Sequence, residues 1–232
     1  GAGKTTLIKL LLGLYTPTRG RILIDGVDLR TLDPEAYRRR VAAVFQDYLR
    51  YQLTARENIG YGQTEKLGDD GAIHEAARSA GADSVVSSLR SGLDTTLGRT
   101  FEGGQDLSGG QWQKIAIARA YFREANVLVL DEPTAALDAR AELEIFNQFR
   151  ALAGMRTAIF VSHRMASARI ADRILVLADG RLIENGSHDE LVRSGGEYAH
   201  MFELQARWYR DEHPDRLHDG VRLNGLQRGE AR

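Results

Sequence analysis

The chain contains no cysteine, so disulfides and thiolate metal sites are excluded within its 232 residues, and a reducing compartment fits. It also lacks any apolar run of about 18 residues, the length a helix needs to cross a bilayer, so no membrane-spanning helix is expected. An excess of one charge is missing too. The formal balance is −1 at pH 7, and no bulk field points to nucleic acid or an anionic membrane. Lysine is scarce; the cations are almost all arginine, which we read as genome bias. No signal peptide and no internal repeat are visible. With 43% hydrophobic and 27% charged residues, the composition is that of an ordinary globular protein, long enough for one large domain or two small lobes.

What is present starts at the first residue. Gly1-Ala2-Gly3-Lys4-Thr5-Thr6 precedes an apolar run from Leu7 to Leu12. This reads as the last part of the phosphate-loop pattern G-x-x-x-x-G-K-[ST], opening a helix. The first glycine of the pattern falls before residue 1, so we expect a chain truncated inside the loop. Glycines let backbone N–H groups converge on an anion, and the helix start adds positive potential. Lys4 then reaches outer phosphates, the Thr5 hydroxyl holds Mg²⁺, and Thr6 touches an inner phosphate. A glycine turn before an ordinary helix accounts for this half-motif equally well.

Along the chain, a helix is expected over 4–14, ended by the turn Pro17-Thr18-Arg19-Gly20. Arg21–Ile24 and Val27–Leu29 flank Asp25-Gly26 as a hairpin. Asp33 and Pro34 predict an N-cap and first helical residue for a short helix through Arg40. Val41–Phe45 has the character of a buried strand. From about Leu53 to Arg90, apolar spacing at Ile73, Ala76, Ala77 and Ala80 predicts an inserted helical lobe. A glycine-bearing loop over 92–104 and a helix from about Gly110 to Phe122 follow. Val127–Leu130 and Thr157–Val161 are continuous apolar runs of parallel-sheet type, with a helix between them from Ala139 to about Leu152. Ile174–Leu177 and Arg181–Glu184 form a second hairpin around Asp179-Gly180. Ser187-His188-Asp189-Glu190 is a capping box. A last helix covers roughly Glu197–Tyr209, and the polar stretch beyond Asp211 is expected to be disordered.

The chemistry-bearing residues sit at the ends of these elements. Val127–Leu130 runs into Asp131 and Glu132, which places two carboxylates at the carboxyl edge of a sheet, where α/β crevices form. Asp131 suits Mg²⁺ bound through water, and Glu132 suits a general base on the attacking water. Acids before a proline turn, here Pro133, are also common with no such role. Leu107-Ser108-Gly109-Gly110-Gln111 puts a serine and two glycines at a helix start, either an anion-binding geometry or a plain helix cap.

At this point the chain resembles the nucleotide-binding domain of ATP-binding cassette (ABC) transporters. Leu107–Gln111 matches that family's signature motif, and the match continues through Gln113–Ala120. Gln46, in Val44-Phe45-Gln46-Asp47, resembles the Q-loop glutamine that senses Mg²⁺ and the attacking water. Ala136-Leu137-Asp138 resembles the D-loop, although Asp138 also makes a sensible N-cap. His163, in Val161-Ser162-His163-Arg164, resembles the switch histidine that contacts the γ-phosphate. The six motifs stand in the family's order over about residues 1–208. Gly98–Gly104, with Glu102, resembles the glutamate-containing loop of exporters, but departs from their commonest wording, which has valine and glycine ahead of the glutamate. Tyr48, Arg50 and Tyr51 are candidates for a groove that receives a coupling helix.

The resemblance implies an α/β fold: a P-loop NTPase core with a mostly parallel sheet, an antiparallel hairpin region and a helical subdomain at about 53–122, followed by a polar tail over 209–232. It implies ATP and Mg²⁺ as ligands. Gly1, Ala2, Gly3, Lys4, Thr5, Thr6, Gln46, Ser108, Gly109, Gly110, Gln111, Asp131, Asp138 and His163 are expected to bind nucleotide. Thr5, Gln46 and Asp131 are expected at the metal; Glu132, His163 and Gln46 are expected to be catalytic. Two such domains pair head to tail, with Ser108 and Gly110 of one completing the site of the other. Transmembrane domains, fused upstream, are the other expected partner, and the cytoplasmic face of the membrane is the expected location. No nucleic-acid partner is expected. A separate ATPase subunit of an importer, a soluble ABC ATPase and a regulatory module without turnover are the competing readings. The intact Glu132 and His163 weigh against the last.

Overall fold

The computed structural model describes residues 2–100, 103–132, 146, 147, 150 and 156–212. Its elements are α1 (Lys4–Leu11), β1 (Leu23–Ile24), β2 (Val27–Asp28), α2 (Pro34–Arg39), β3 (Val41–Val44), α3 (Ala55–Gly60), α4 (Asp70–Ser79), α5 (Asp83–Ser88), α6 (Gly109–Phe122), β4 (Val127–Asp131), β5 (Thr157–Val161), α7 (Met165–Ala168), β6 (Ile174–Ala178), β7 (Arg181–Gly186), α8 (His188–Ser194) and α9 (Glu197–Glu212). The helix expected over 139–152 lies almost wholly outside the described residues, as do Glu102, Pro133, Asp138 and the stretch 213–232.

A parallel sheet in the order β3-β4-β5 is the frame. Val41 pairs with Val127 and Val127 with Thr157, so the three strands end together at one edge. Successive side chains of β4 point to opposite faces. Leu128 and Leu130 join a core with Trp112, Ile115 and Ile117 of α6. Val129 joins Ile8 and Leu12 of the α1 segment with Tyr37 and Val161. The helix that follows the phosphate loop and the helix that carries the signature therefore cover opposite faces of one sheet. A continuous apolar run is what a strand covered on both faces requires.

The helical lobe is α3 to α5 packed on α6, its core built from Ile59, Ile73, Ala77, Val85 and Leu97 with α6 side chains. Thr54 and Glu57 form a capping box that fixes the start of α3. Both Asp-Gly hairpin turns form as expected. Asp25 and Gly26 have φ of 49° and 83°, and Asp179 and Gly180 have 48° and 72°, the two positive values that such turns need.

Three boundaries differ from expectation. α1 stops at Leu11, well before Pro17, because Gly13 takes φ of 65° and closes the helix with the bonds Leu14 N–H to Lys9 O and Gly13 N–H to Leu10 O. That is the Schellman arrangement, which satisfies the last carbonyls without proline. β1 is confined to Leu23–Ile24 rather than beginning at Arg21. The last helix runs on to Glu212; at its start the Glu184 carboxylate accepts the N–H groups of Glu197 (2.6 Å) and Tyr198 (3.0 Å).

Candidate functional site

The common edge of β3, β4 and β5 collects the polar residues. Gly3, with φ of 88°, turns the chain into α1 and places Lys4 and Thr5 at the start of the helix. Asp131 is the last residue of β4 and only 5% exposed. The Thr5 hydroxyl bonds to its carboxylate, and Lys4, Glu132 and Asp47 lie close enough to act on its charge. Burial raises the pKa of Asp131 above the ordinary carboxylate value. The Thr5 bond opposes that shift, Glu132 and Asp47 add to it, and Lys4 subtracts.

Glu132 follows with φ of 49°, a backbone state a side-chain-bearing residue adopts only when its surroundings enforce it. Its N–H donates to Val161 O across the sheet edge at 3.1 Å. This turn directs the carboxylate to the imidazole of His163, Oε1 to Nε2 2.6 Å. His163 stands just beyond β5, and its carbonyl accepts from the Gln205 side chain of α9 at 2.6 Å. The same Gln205 amide accepts from Met165 N at 2.9 Å, so one side chain on α9 holds both sides of the histidine turn. Neither Gln205 nor Asp47 was legible as a site residue: a glutamine within an amphipathic helix and an acid after a strand carry no sequence signal of their own.

Gln46 lies two residues beyond β3, at the same edge as Asp131 and Glu132, and is exposed. The Ser108–Gln111 group opens α6. Ser108 caps α6 in a reciprocal box with Gln111, Ser108 N to Gln111 Oε1 2.8 Å and Gln111 N to Ser108 Oγ 3.3 Å. Among the described residues, the structure gathers Lys4, Thr5, Asp131, Glu132 and His163, while Ser108 and Gln111 bond to each other. Gly1 and Asp138 lie outside the described residues.

The donor set suits Mg²⁺. A buried carboxylate with a raised pKa, two further carboxylates nearby and a threonine hydroxyl upon it would all be relieved by a small hard cation. No group of three His, Cys, Asp or Glu able to hold a metal occurs among the described residues. Mg²⁺ ordinarily binds through one or two carboxylates, water and substrate phosphates instead. A stability test follows from the sign of the shift. With a folded pKa above the unfolded one, Asp131 costs the fold stability as pH rises past the ordinary carboxylate range. Asp131→Asn should therefore raise the melting temperature of the nucleotide-free protein at pH 7 and abolish any further gain from Mg²⁺ with nucleotide. An unchanged or lower melting temperature without nucleotide would contradict the assignment of burial as the dominant effect.

A glycine-led helix start, a buried Asp131 ending a parallel strand with Glu132 directly after it, and a histidine just beyond the next strand define the class, a P-loop nucleotide-binding α/β core. Comparison narrows this. The family model described as "ABC transporter" matches residues 1–135, and the chain belongs to that family. It is 47% identical over 205 residues to the subtilin transport ATP-binding protein SpaT of Bacillus subtilis, covering 88% of this chain and 33% of that protein. It is 42% identical over 205 residues to the ATP-dependent lipid A-core flippase of Burkholderia orbicola, covering 88% and 34%. The solved structure of a bacterial Atm1-family ABC exporter with ATP bound superposes with a TM-score of 0.81 at 40% identity, covering 88% of this chain and 35% of that one. The chain thus spans about a third of the length of the relatives it matches. The P-loop NTPase fold and ATP binding expected from the sequence agree with these matches.

Proposed function

We propose that this chain is the ATP-hydrolysing domain of an ABC exporter. The observation that carries the reading is the cluster in which Lys4 and Thr5 meet Asp131 while Glu132 pairs with His163. In this reading residues 1–208 form the ATPase unit, with a helical subdomain at about 53–122. Lys4 neutralises the outer phosphates, and Thr5, Asp131 and Gln46 hold Mg²⁺, which offsets phosphate charge when bound. Glu132 takes a proton from the attacking water, and His163 steadies that carboxylate and faces the γ-phosphate. Ala2, Gly3 and Thr6 line the phosphate path. Ser108 to Gln111 serve the site of a second domain in a head-to-tail dimer, together with Asp138. ATP stabilises the closed pair, and loss of the γ-phosphate releases it.

The membrane partner is proposed to dock on the far side of the Q-loop segment. A cavity of about 390 Å³ there is lined by Tyr48, Leu49, Tyr51, Tyr61, Arg119 and others. Leu49 is 63% exposed at its rim, as an apolar anchor for a helix of the transmembrane domains would be. The length of the relatives supports fusion to such domains, since this chain accounts for only a third of each, and the reading places the chain at the cytoplasmic face of the membrane. A detached ATPase subunit would use the same surface.

The test is Mg²⁺-dependent ATP turnover by the full-length transporter in vesicles, compared with Lys4→Ala. Removing the one lysine that faces the phosphates should lower kcat/KM by roughly a hundredfold or more, the scale of losing a charged clamp on a transferring phosphoryl group. Equal turnover by wild type and variant would refute the phosphate-loop assignment.

A further inference from the structure

The side chain of His163 is 66% exposed, and among the described residues its ring makes one polar contact, Nε2 to Glu132 Oε1 at 2.6 Å. Packing therefore does little to aim the imidazole, and the task falls to its backbone. The turn between β5 and α7 is held at three places. The Ser162 hydroxyl accepts from Arg164 N at 3.0 Å. Gln205 Nε2 donates to His163 O, and Gln205 Oε1 accepts from Met165 N. The amide meets a carbonyl with its donor and an N–H with its acceptor; flipped, it would set oxygen against oxygen. Its base is rigid. Gln205 sits on α9, where Tyr198 is 1% exposed and shares a core with Met165, Ile174, Val176 and Leu191, against which Met201 and Phe202 also pack. Met165 belongs to both the core and the histidine turn, so α9 and the turn are positioned by the same apolar contacts.

The geometry points to Gln205 as a positioning residue for ATP hydrolysis that acts through His163, and it rests on the roles proposed above for His163 and Glu132. Pinning the His163 carbonyl restricts rotation of the peptide planes beside its Cα, and with them the direction of the Cα–Cβ bond from which the ring extends. A small swing there is magnified at Nε2, the far atom of the imidazole. The contact to Glu132 has little slack: a displacement of about 1 Å would carry it beyond hydrogen-bonding range. Lys4, Thr5 and Asp131 make no contact with Gln205, so nucleotide binding does not depend on it. Its loss loosens only the histidine and the carboxylate that the histidine steadies, and the effect belongs in the chemical step.

The test measures turnover of the full-length transporter against ATP concentration for wild type, Gln205→Leu, Gln205→Glu, and His163→Ala with and without each Gln205 substitution. Slow variants are followed by phosphate release in a single turnover. Gln205→Leu should lower kcat roughly two- to tenfold, the worth of one net hydrogen bond, with KM for ATP within about twofold of wild type. Gln205→Glu keeps an acceptor for Met165 N but turns a carboxylate oxygen toward His163 O, so it should lose at least as much. Combined with His163→Ala, either substitution should change turnover by less than about twofold, because the ring that Gln205 aims is absent. Should the leucine variant fail to fold, the glutamate variant, which has nearly the same shape, carries the same comparison. Wild-type kcat in both Gln205 variants would overturn the proposal, as would a raised KM at unchanged kcat. An equal loss with and without the histidine would make Gln205 a packing residue. Full kcat in the glutamate variant alone would leave only the bond to Met165 in play, and the carbonyl contact would lose its role. If His163→Ala turns over like wild type, the proposed role of the histidine falls and takes the proposal with it.

Discussion

Glu132→Gln in the full-length transporter should lower ATP turnover roughly a hundredfold to ten-thousandfold, the range for losing a general base. ATP binding should survive and the closed dimer should accumulate. The substitution keeps the length of the side chain, and an amide oxygen can still accept from His163 Nε2, so the turn at φ of 49° need not rearrange. What disappears is a proton acceptor and one negative charge. That charge is among the influences raising the pKa of Asp131, so the metal side of the site should tolerate the change. Steady-state turnover, equilibrium ATP binding and inter-domain distance separate the three expectations. Turnover near wild type would remove Glu132 from the base role; loss of ATP binding would mean that it serves the nucleotide rather than the water.

Ser108→Arg should abolish ATP-driven closure while leaving Lys4, Thr5, Asp131 and Glu132 in place, because the bonds of Ser108 are to Gln111 in the cap of α6. The expected effect is a loss of closure at ATP concentrations that saturate wild type. Ser108 also caps α6, and losing that cap costs about 1 kcal/mol, so a damaged helix must be told from a blocked interface. Ser108→Ala provides the comparison, since it loses the cap bond without adding bulk or charge. Closure of the alanine variant together with failure of the arginine variant locates the effect at the facing subunit. If the arginine variant still closes, the signature turn does not meet the partner's phosphate.

Much of this site was legible from residue types at element ends. Asp131 and Glu132 declare themselves because four apolar residues drive a strand into them, and a strand covered on both faces can stop only at the sheet edge. The Asp-Gly hairpins were legible for a similarly local reason: two positive φ values in succession are cheap only for such pairs. Legibility failed where partners are distant in sequence. Gly13 ends α1 because its left-handed turn captures two carbonyls, whereas the proline four residues later looked like the stronger stop. The pairing of Glu132 with His163 spans two strands and could be expected only through the family resemblance. The hold of Gln205 on the histidine turn had no signal at all, since nothing in an amphipathic helix distinguishes a glutamine that reaches across the fold from one facing water.

That last contact redraws where the support of the Glu132–His163 pair ends. The terminal helix contains none of the family's motifs, yet its third turn supplies the amide that fastens the histidine's carbonyl and the start of the next helix. Its first turn is in turn anchored by the Glu184 carboxylate of the second hairpin. The Glu132–His163 pair is thereby braced from behind by a helix that carries none of the motifs. The minimal unit that keeps the imidazole in place extends to the third turn of the final helix, past the last recognisable motif.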